Sequence, residues 1–281
     1  MRRCSVHILQ AGYCRHCEAL SIRGGALRPV MFPALVGLII HPSEGPVLFD
    51  TGYDPAFFTA TEPFPQRLYR WTTPPIIPPG DTVAAQLARF GLAPADIRLI
   101  ILSHFHADHI AGLVQFPAAR VLCTRAGLEA ARRGSSFAAV RHGVLRALIP
   151  ADLDARVRFA EDCPCTFLSS AFAPFTEAAD LLGDGSLLGL DLPGHAPGQL
   201  GLAVQDESGR DHLLAADAAW SCRAIRENRP PPAIVTGLLG NTATYRQTLR
   251  CLHLAAQHNK ELVFTPSHCL ERAAAIKADA R

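Results

Sequence analysis

The chain has 281 residues, 49% of them hydrophobic, which is enough to bury a core as one large domain or two small ones. Lys and Arg total 27 against 25 Asp and Glu, a formal charge of +2 with no long basic run, so the phosphate neutralisation that nucleic-acid binding needs is missing and no nucleic-acid partner is expected. No segment approaches the ~20 apolar residues of a membrane span, and the N-terminal MRRCSVHILQAGYCRHC lacks the apolar stretch of a secretory signal, which together predict a cytoplasmic protein with no membrane partner.

Nine cysteines, an odd number and scattered, suit a reducing compartment better than a disulfide framework. Cys14 and Cys17 have the spacing of half a zinc ribbon, but a closed tetrahedral site takes four ligands and only Cys163 and Cys165 are left to complete it. Unpaired, partly buried thiols are the expectation.

In chain order, ALVGLII (34–40) and PVLF (46–49) are short apolar runs split by the turn HPSEG, a hairpin pattern ending in Asp50-Thr51-Gly52. Residues 53–80 are rich in proline and aromatics without a period, and read as a lid or a dimerisation segment. Asp81 is the expected N-cap of the helix TVAAQLARFG, with Val83, Leu87 and Phe90 on one face and Gly91 as its stop. Arg98–Leu102, RLIIL, is after its arginine a continuous apolar run of the kind found in strands buried on both faces. The segment SHFHADHIAG begins where that strand stops, the place where open α/β sheets put their ligands.

Downstream, RVLCT (120–124) predicts a strand and RAGLEAARR a helix, while 135–182 gives no clear pattern. SLLGLDLPG (186–194) is a strand running into His195, and LGLAV (200–204) with HLLAA (212–216) forms a second hairpin that delivers Asp217. Asn241 or Thr242 caps a helix through about His258, with Tyr245, Leu249, Leu252 and Ala256 as its apolar stripe. ELVFTPSH (261–268) is a last strand ending in His268, before a short terminal helix. With no internal repeat and no flexible linker, the expected fold is α/β (α+β), a single domain over 1–281 in which two sheets are sandwiched between outer helices.

A lone histidine is ordinarily a hydrogen-bonded core or surface residue. Chance, however, yields H-x-H-x-[DE]-H in a chain of this composition on the order of a few times in a thousand. In an extended loop side chains alternate, so His104 and His106 can share one metal while the turn through Ala107 brings Asp108 and His109 to a second. Imidazole and carboxylate favour zinc or a similar cation such as Fe, Mn or Co, and the absence of thiolate argues against a purely structural zinc. Four ligands from one loop leave two metals under-coordinated, and His195, Asp217 and His268, each following a predicted strand, supply the remainder. An aspartate able to bridge lets two cations sit ~3.5–4 Å apart.

The run His104-x-His106-x-Asp108-His109, then Gly194-His195-x-Pro197-Gly198, Ala216-Asp217 and Ser267-His268, resembles the metallo-β-lactamase superfamily of binuclear hydrolases, and within it the N-acyl homoserine lactonase-like branch of quorum-quenching enzymes. The resemblance runs from Asp50 to His268 and implies a four-layer αββα sandwich. By position it implies that His104, His106 and His195 hold the first metal, that Asp108, His109 and His268 hold the second, and that Asp217 bridges. Asp50 aligns with a family aspartate that orients a ligand histidine, although a plain turn residue would read the same way.

The same resemblance implies a hydroxide, shared by two divalent cations, that attacks the carbonyl of a lactone or other ester, with Asp108 and Asp217 as the catalytic carboxylates and Asp108 shuttling a proton to the leaving group. Lactonases of this branch commonly carry a tyrosine three residues after the bridging aspartate. Here that residue is Trp220, whose indole N–H can donate but cannot pass a proton. Phe57, Phe58, Phe64, Tyr69 and Trp71 are expected either to roof an apolar pocket together with Trp220 or to form a homodimer contact.

Among alternatives, phosphotriester hydrolysis uses the same nucleophile. Glyoxalase II-like thioesterases share the seven ligands but append a helical domain, and only the 13 residues 269–281 follow His268. True β-lactamases of the superfamily lack the bridging aspartate. A mononuclear iron sulfur dioxygenase dispenses with ligands that are all present here.

Overall fold

The structure, a computed structural model, describes residues 2–279. Among these residues twelve strands are formed: β1 (Arg3–Cys17), β2 (Pro29–His41), β3 (Gly45–Phe49), β4 (Leu99–Ile101), β5 (Arg120–Cys123), β6 (Val157–Phe159), β7 (Cys165–Phe167), β8 (Glu177–Asp180), β9 (Leu187–Asp191), β10 (Leu200–Asp206), β11 (Asp211–Ala216) and β12 (Val263–Pro266). Their apolar side chains alternate, and the alternation sorts them into three packed layers. Leu35 and Ile39 of β2, Val47 and Phe49 of β3, and Leu99 and Ile101 of β4 meet Leu200, Leu202 and Val204 of β10 in a central layer. Their sequence neighbours Val36, Leu38, Leu48 and Ile100 point the other way, onto Val83, Leu87, Ile110 and Leu113. On the far side Leu188, Leu190, Ala203 and Leu213 pack against Tyr245, Leu249 and Leu252 of the helix Thr242–His258.

The result is helices, sheet, sheet, helices, the αββα sandwich expected from the strand pattern. Full burial of each large apolar side chain contributes roughly 1.5–3 kcal/mol. One face has the strand order β6-β5-β4-β3-β2-β1 and the other β7-β8-β9-β10-β11-β12, joined by a short parallel contact of β1 with β10 at Arg3–Gln205 and Cys4–Asp206. Gly37 lies where the two faces come close: a Cβ there would lie 2.5 Å from Leu214 Cδ2 and 3.2 Å from Phe49 Cβ, so Leu214 would have to move to admit one.

Several elements differ from expectation. The longest strand, β1, has no counterpart in the sequence reading; it pairs antiparallel with β2 over most of its length. The helix after residue 80 is capped by Thr82, whose hydroxyl accepts from the Ala85 N–H, and not by Asp81; it tightens into a 3₁₀ turn over Leu87–Phe90 and stops at Gly91, φ +68°. The helix Thr242–His258 is capped by Asn241. The segment 53–80 carries two short helices, Ala56–Ala60 and Arg67–Thr72, and is tied to β1 by a two-bond bridge between Ile76 and Tyr13. The unassigned stretch 135–182 supplies β6, β7, β8 and short helices. All nine cysteines are free, and none joins a cluster able to hold an ion among the described residues. No helix among those residues is long and apolar enough to cross a membrane.

Candidate metal centre

Five strand ends converge on one edge of the sandwich. Asp50 follows β3, His104 follows β4 by three residues, His195 lies four beyond β9, Asp217 directly follows β11 and His268 comes two after β12. The backbone is forced at two of these ends. Of the three non-glycine residues with positive φ among those described, two are Asp50 (+65°) and Ala216 (+47°), both at the site, where left-handed backbone costs roughly 1–3 kcal/mol and has to be held by its surroundings. Ala216 is held by the Ser267 N–H, which donates to its carbonyl at 3.1 Å and so keeps Asp217 beside His268. In the histidine loop, His106 is still extended (φ −68°, ψ 151°), and the turn Ala107–Ile110 then swings Asp108 and His109 to the other side.

Two groups of ligand-type atoms result. His104, His106, His195 and Asp217 place one donor atom each within 4.8 Å of one another, and Asp108, His109 and His268 do the same. Asp217 lies between them: Oδ2 is 3.2 Å from His195 Nε2 and 3.2 Å from His268 Nε2, while Oδ1 is 3.5 Å from His109 Nε2. His106 presents Nδ1, 3.0 Å from His195 Nε2. Asp108 Oδ2 stands 3.4 Å from His268 Nε2 and 3.7 Å from His109 Nε2.

The ring nitrogens that face away are anchored. His268 Nδ1 donates to the Pro33 carbonyl at 2.8 Å and His109 Nδ1 to Asp50 Oδ2 at 2.8 Å. His104 Nδ1 lies 2.9 Å from Ser103 Oγ, which itself donates to Asp50 Oδ2 at 2.8 Å. The His109 carbonyl accepts from both the Thr51 N–H and its hydroxyl, each at 2.8 Å.

The electrostatics of the protein alone split the histidines. Burial holds His104 and His195 well below the ordinary imidazole range and brings His106 down to about 4. Burial acts the same way on His109 and His268, but carboxylates outweigh it: Asp108, Asp50 and Asp217 hold His109 well above its usual value, and Asp217 with Asp108 raises His268 to about 9. Burial also opposes ionisation of Asp217, yet His268, His109 and His195 keep it well below the usual carboxylate range.

Buried ligand-type atoms are left without partners, namely His104 Nε2, His109 Nε2 and Asp217 Oδ1. Such orphaned groups cost about 1–3 kcal/mol each unless something satisfies them. A divalent cation in each group would do so, and five imidazoles with two carboxylates and no thiolate suit zinc or a similar borderline cation in an open rather than structural site. The residues therefore fit two such ions.

Above the cluster opens a cavity of about 440 Å³ whose floor includes Asp108, Asp217 and His268 and whose walls include Phe32, Tyr53, Tyr69, Trp220, Ile234 and Leu238. Tyr69 and Trp220 thus sit where the sequence reading expects them. Phe57 does not: it is fully buried beneath Tyr53 and Tyr69, with ring centroids 5.7 and 5.5 Å away. Phe58, Phe64 and Trp71 also lie outside the cavity wall; Phe64 and Trp71 are exposed, and Phe64 packs on Phe137. Their place is taken by residues the sequence did not point to, Cys14 and His16 of β1, Phe32 of β2 and the helix Ala233–Leu239. Ser103, which directly precedes His104 and bonds Asp50, is a further residue without a signal of its own in the sequence.

Burial keeps the Cys14 thiol protonated, pushed up to about 12, and holds both tyrosines well above their usual range. Trp220 has its Nε1–H buried without a partner, and its ring contacts His195 (5.8 Å) and His268 (6.3 Å) edge-on.

Residues 31–265 match the family described as the Metallo-beta-lactamase superfamily. Among curated proteins the chain is similar to N-acyl homoserine lactonase AttM of Agrobacterium fabrum, 28% identical over 268 residues that span 92% of this chain and 91% of that protein. AttM of Azorhizobium caulinodans is 26% identical over 269 residues with the same coverage. Among solved structures, B. thuringiensis AiiA with N-decanoyl-L-homoserine at its active site superposes with a TM-score of 0.72 at 19% identity, over 98% of this chain and 97% of that one.

Proposed function

Because the chain belongs to the metallo-β-lactamase superfamily, we propose that it is a binuclear metal-dependent hydrolase that opens a lactone or cleaves a related carboxylic ester. The observation that carries this reading is the pair of ligand groups sharing Asp217 on the floor of one largely apolar cavity. Two divalent cations, zinc by the donor set with Fe, Mn or Co as substitutes, would supply Lewis acidity and make water acidic enough to react at neutral pH. His104, His106 and His195 would hold one ion and Asp108, His109 and His268 the other, with Asp217 placed between the two groups.

The remaining steps belong to the chain's own side chains. Trp220 lines the cavity beside His195 and His268 and, having no acidic proton to give, can orient a substrate but not protonate it. Asp108, on the cavity floor, takes the proton that the attacking water loses and passes it to the leaving oxygen of the opened ring. Ile234, Leu238 and Phe32 exclude water and seat an apolar acyl group. Tyr53, Tyr69, Thr72 and Thr73 make the segment 53–80 one wall of the pocket, which supports its reading as a lid. The lactonase names of relatives covering 92% of the chain support the substrate class, with acyl homoserine lactones and hence quorum quenching as its most specific form.

The test is a hydrolysis panel on purified, metal-quantified protein, covering lactones of graded acyl length, aryl esters, phosphotriesters, thioesters and a cephalosporin. About two ions per chain with lactones or esters turned over fastest is the expected result. A fully loaded protein inert to every lactone and ester, or one iron per chain with oxygen uptake, would overturn it.

A further inference from the structure

We propose that Ser103 is a positioning residue that fixes which nitrogen of His104 carries the proton, and that through it the single carboxylate of Asp50 sets one histidine in each ligand group. The consequence for metal binding rests on the binuclear reading above, whereas the tautomer does not depend on it.

The supply of hydrogens fixes the arrangement. A carboxylate can only accept. Asp50 Oδ1 takes the Ser103 backbone N–H at 2.8 Å, and Oδ2 lies 2.8 Å from both Ser103 Oγ and His109 Nδ1. The Ser103 hydroxyl hydrogen is therefore committed to Asp50, and His109 carries a hydrogen on Nδ1. With its one hydrogen committed, Ser103 Oγ can serve His104 Nδ1, 2.9 Å away, only as acceptor. His104 accordingly holds its proton on Nδ1 and turns an unprotonated Nε2 towards His106, His195 and Asp217, where that atom has no other partner. His104 belongs to the first ligand group and His109 to the second, so one aspartate reaches both.

The hub is rigid. Asp50 and Ser103 are each 1% exposed, which leaves no room for water to replace either partner. The Asp50 N–H donates to the Ile101 carbonyl at 2.9 Å and the Ser103 carbonyl accepts from Leu200 N–H at 2.8 Å, pinning the pair between β3, β4 and β10. Elsewhere in the site the same task falls to backbone, as in the Pro33 carbonyl that orders His268.

The experiment reads imidazole protonation directly, by long-range 1H–15N correlation on metal-free, 15N-histidine-labelled protein, together with Co²⁺ and Zn²⁺ titration of the same samples. In the wild type His104 is expected as the Nδ1–H form. Ser103→Ala should mix or reverse that form and weaken binding of the first ion by about 10–100-fold, while Ser103→Thr, which keeps the hydroxyl, restores both. Asp50→Asn should reverse His104 as well, although residue 50 does not touch it, because an amide facing Ser103 turns the hydroxyl hydrogen towards His104. A wild-type His104 in the Nε2–H form, or an unchanged His104 and unchanged affinity in Ser103→Ala, overturns the proposal. Absence of metal uptake by a wild type whose His104 is in the Nδ1–H form would instead overturn the hydrolase reading and leave the relay standing.

Discussion

Asp217 is the side chain on which the two ligand groups depend together. Its two oxygens reach His195, His268 and His109 within 3.2–3.5 Å, and its charge is the first of those that lift His268 against burial. Asp217→Ala should therefore do two separable things. The protein should retain at most one ion and lose at least two orders of magnitude in kcat/KM on its best ester substrate, by metal analysis and initial rates. In metal-free protein His268 should titrate below its parent value of about 9, by histidine NMR. Full turnover with two ions bound would contradict the shared role. The seven ligand-type residues were legible from sequence because imidazole and carboxylate are costly to bury, so their crowding at strand ends signals compensation. The residues that orient them were less legible. Pro33 acts through its carbonyl and Thr51 partly through its N–H, groups that mark no residue type, and only the buried Asp50 and Ser103 side chains mark the supporting layer.

At the scale of elements, the loop carrying His195 is held by the start of the helix Thr242–His258. Gly194 adopts φ +124° and passes so close to that helix that a Cβ would lie 2.3 Å from Tyr245 N, while its carbonyl accepts the Asn241 N–H at 2.8 Å. The Thr248 hydroxyl adds a bond to the Pro193 carbonyl at 2.7 Å. Gly194→Ala should thus destabilise the fold by about 3 kcal/mol, from backbone strain plus overpacking, and shift His195 enough to weaken metal uptake. Urea unfolding of metal-free protein measures the first effect; a loss under about 1 kcal/mol would mean the helix start yields freely. The strands flanking these loops were readable because β3, β4, β10 and β11 are short apolar runs, three of them leading directly into site residues. The strand β1 was not, since RCSVHILQAGYCRHC mixes polar and apolar residues: it crosses from the inter-sheet contact at Cys4 to the pocket at Cys14 and His16, and shifts register between Gln10 and Tyr13. The strands β6, β7 and β8 are three or four residues long, too short to show a period.

For the whole molecule, the buried histidines make the stability of the metal-free protein a function of pH with opposite slopes on either side of neutrality. His104, His106 and His195 have folded values below the ~6.5 of an unfolded chain, His106 near 4. Between those limits the unfolded state binds more protons, so stability falls as pH falls, with a slope of up to roughly 4 kcal/mol per pH unit if all three respond fully. His109 and His268 are raised instead, His268 to about 9. Their contribution is complete below ~6.5 and is lost as pH rises through the folded value, because above ~6.5 the folded state is the one that binds more protons. Thermal melts of chelated protein from about pH 4.5 to 9.5 should therefore peak close to pH ~6.5. Adding Zn²⁺ should move the optimum upward, since ligation displaces the protons that His109 and His268 hold and is favoured where those protons leave readily. A chelated protein whose melting temperature is level across that range would show that the five histidines do not carry these charges, and an optimum unmoved by Zn²⁺ would show that they are not its ligands.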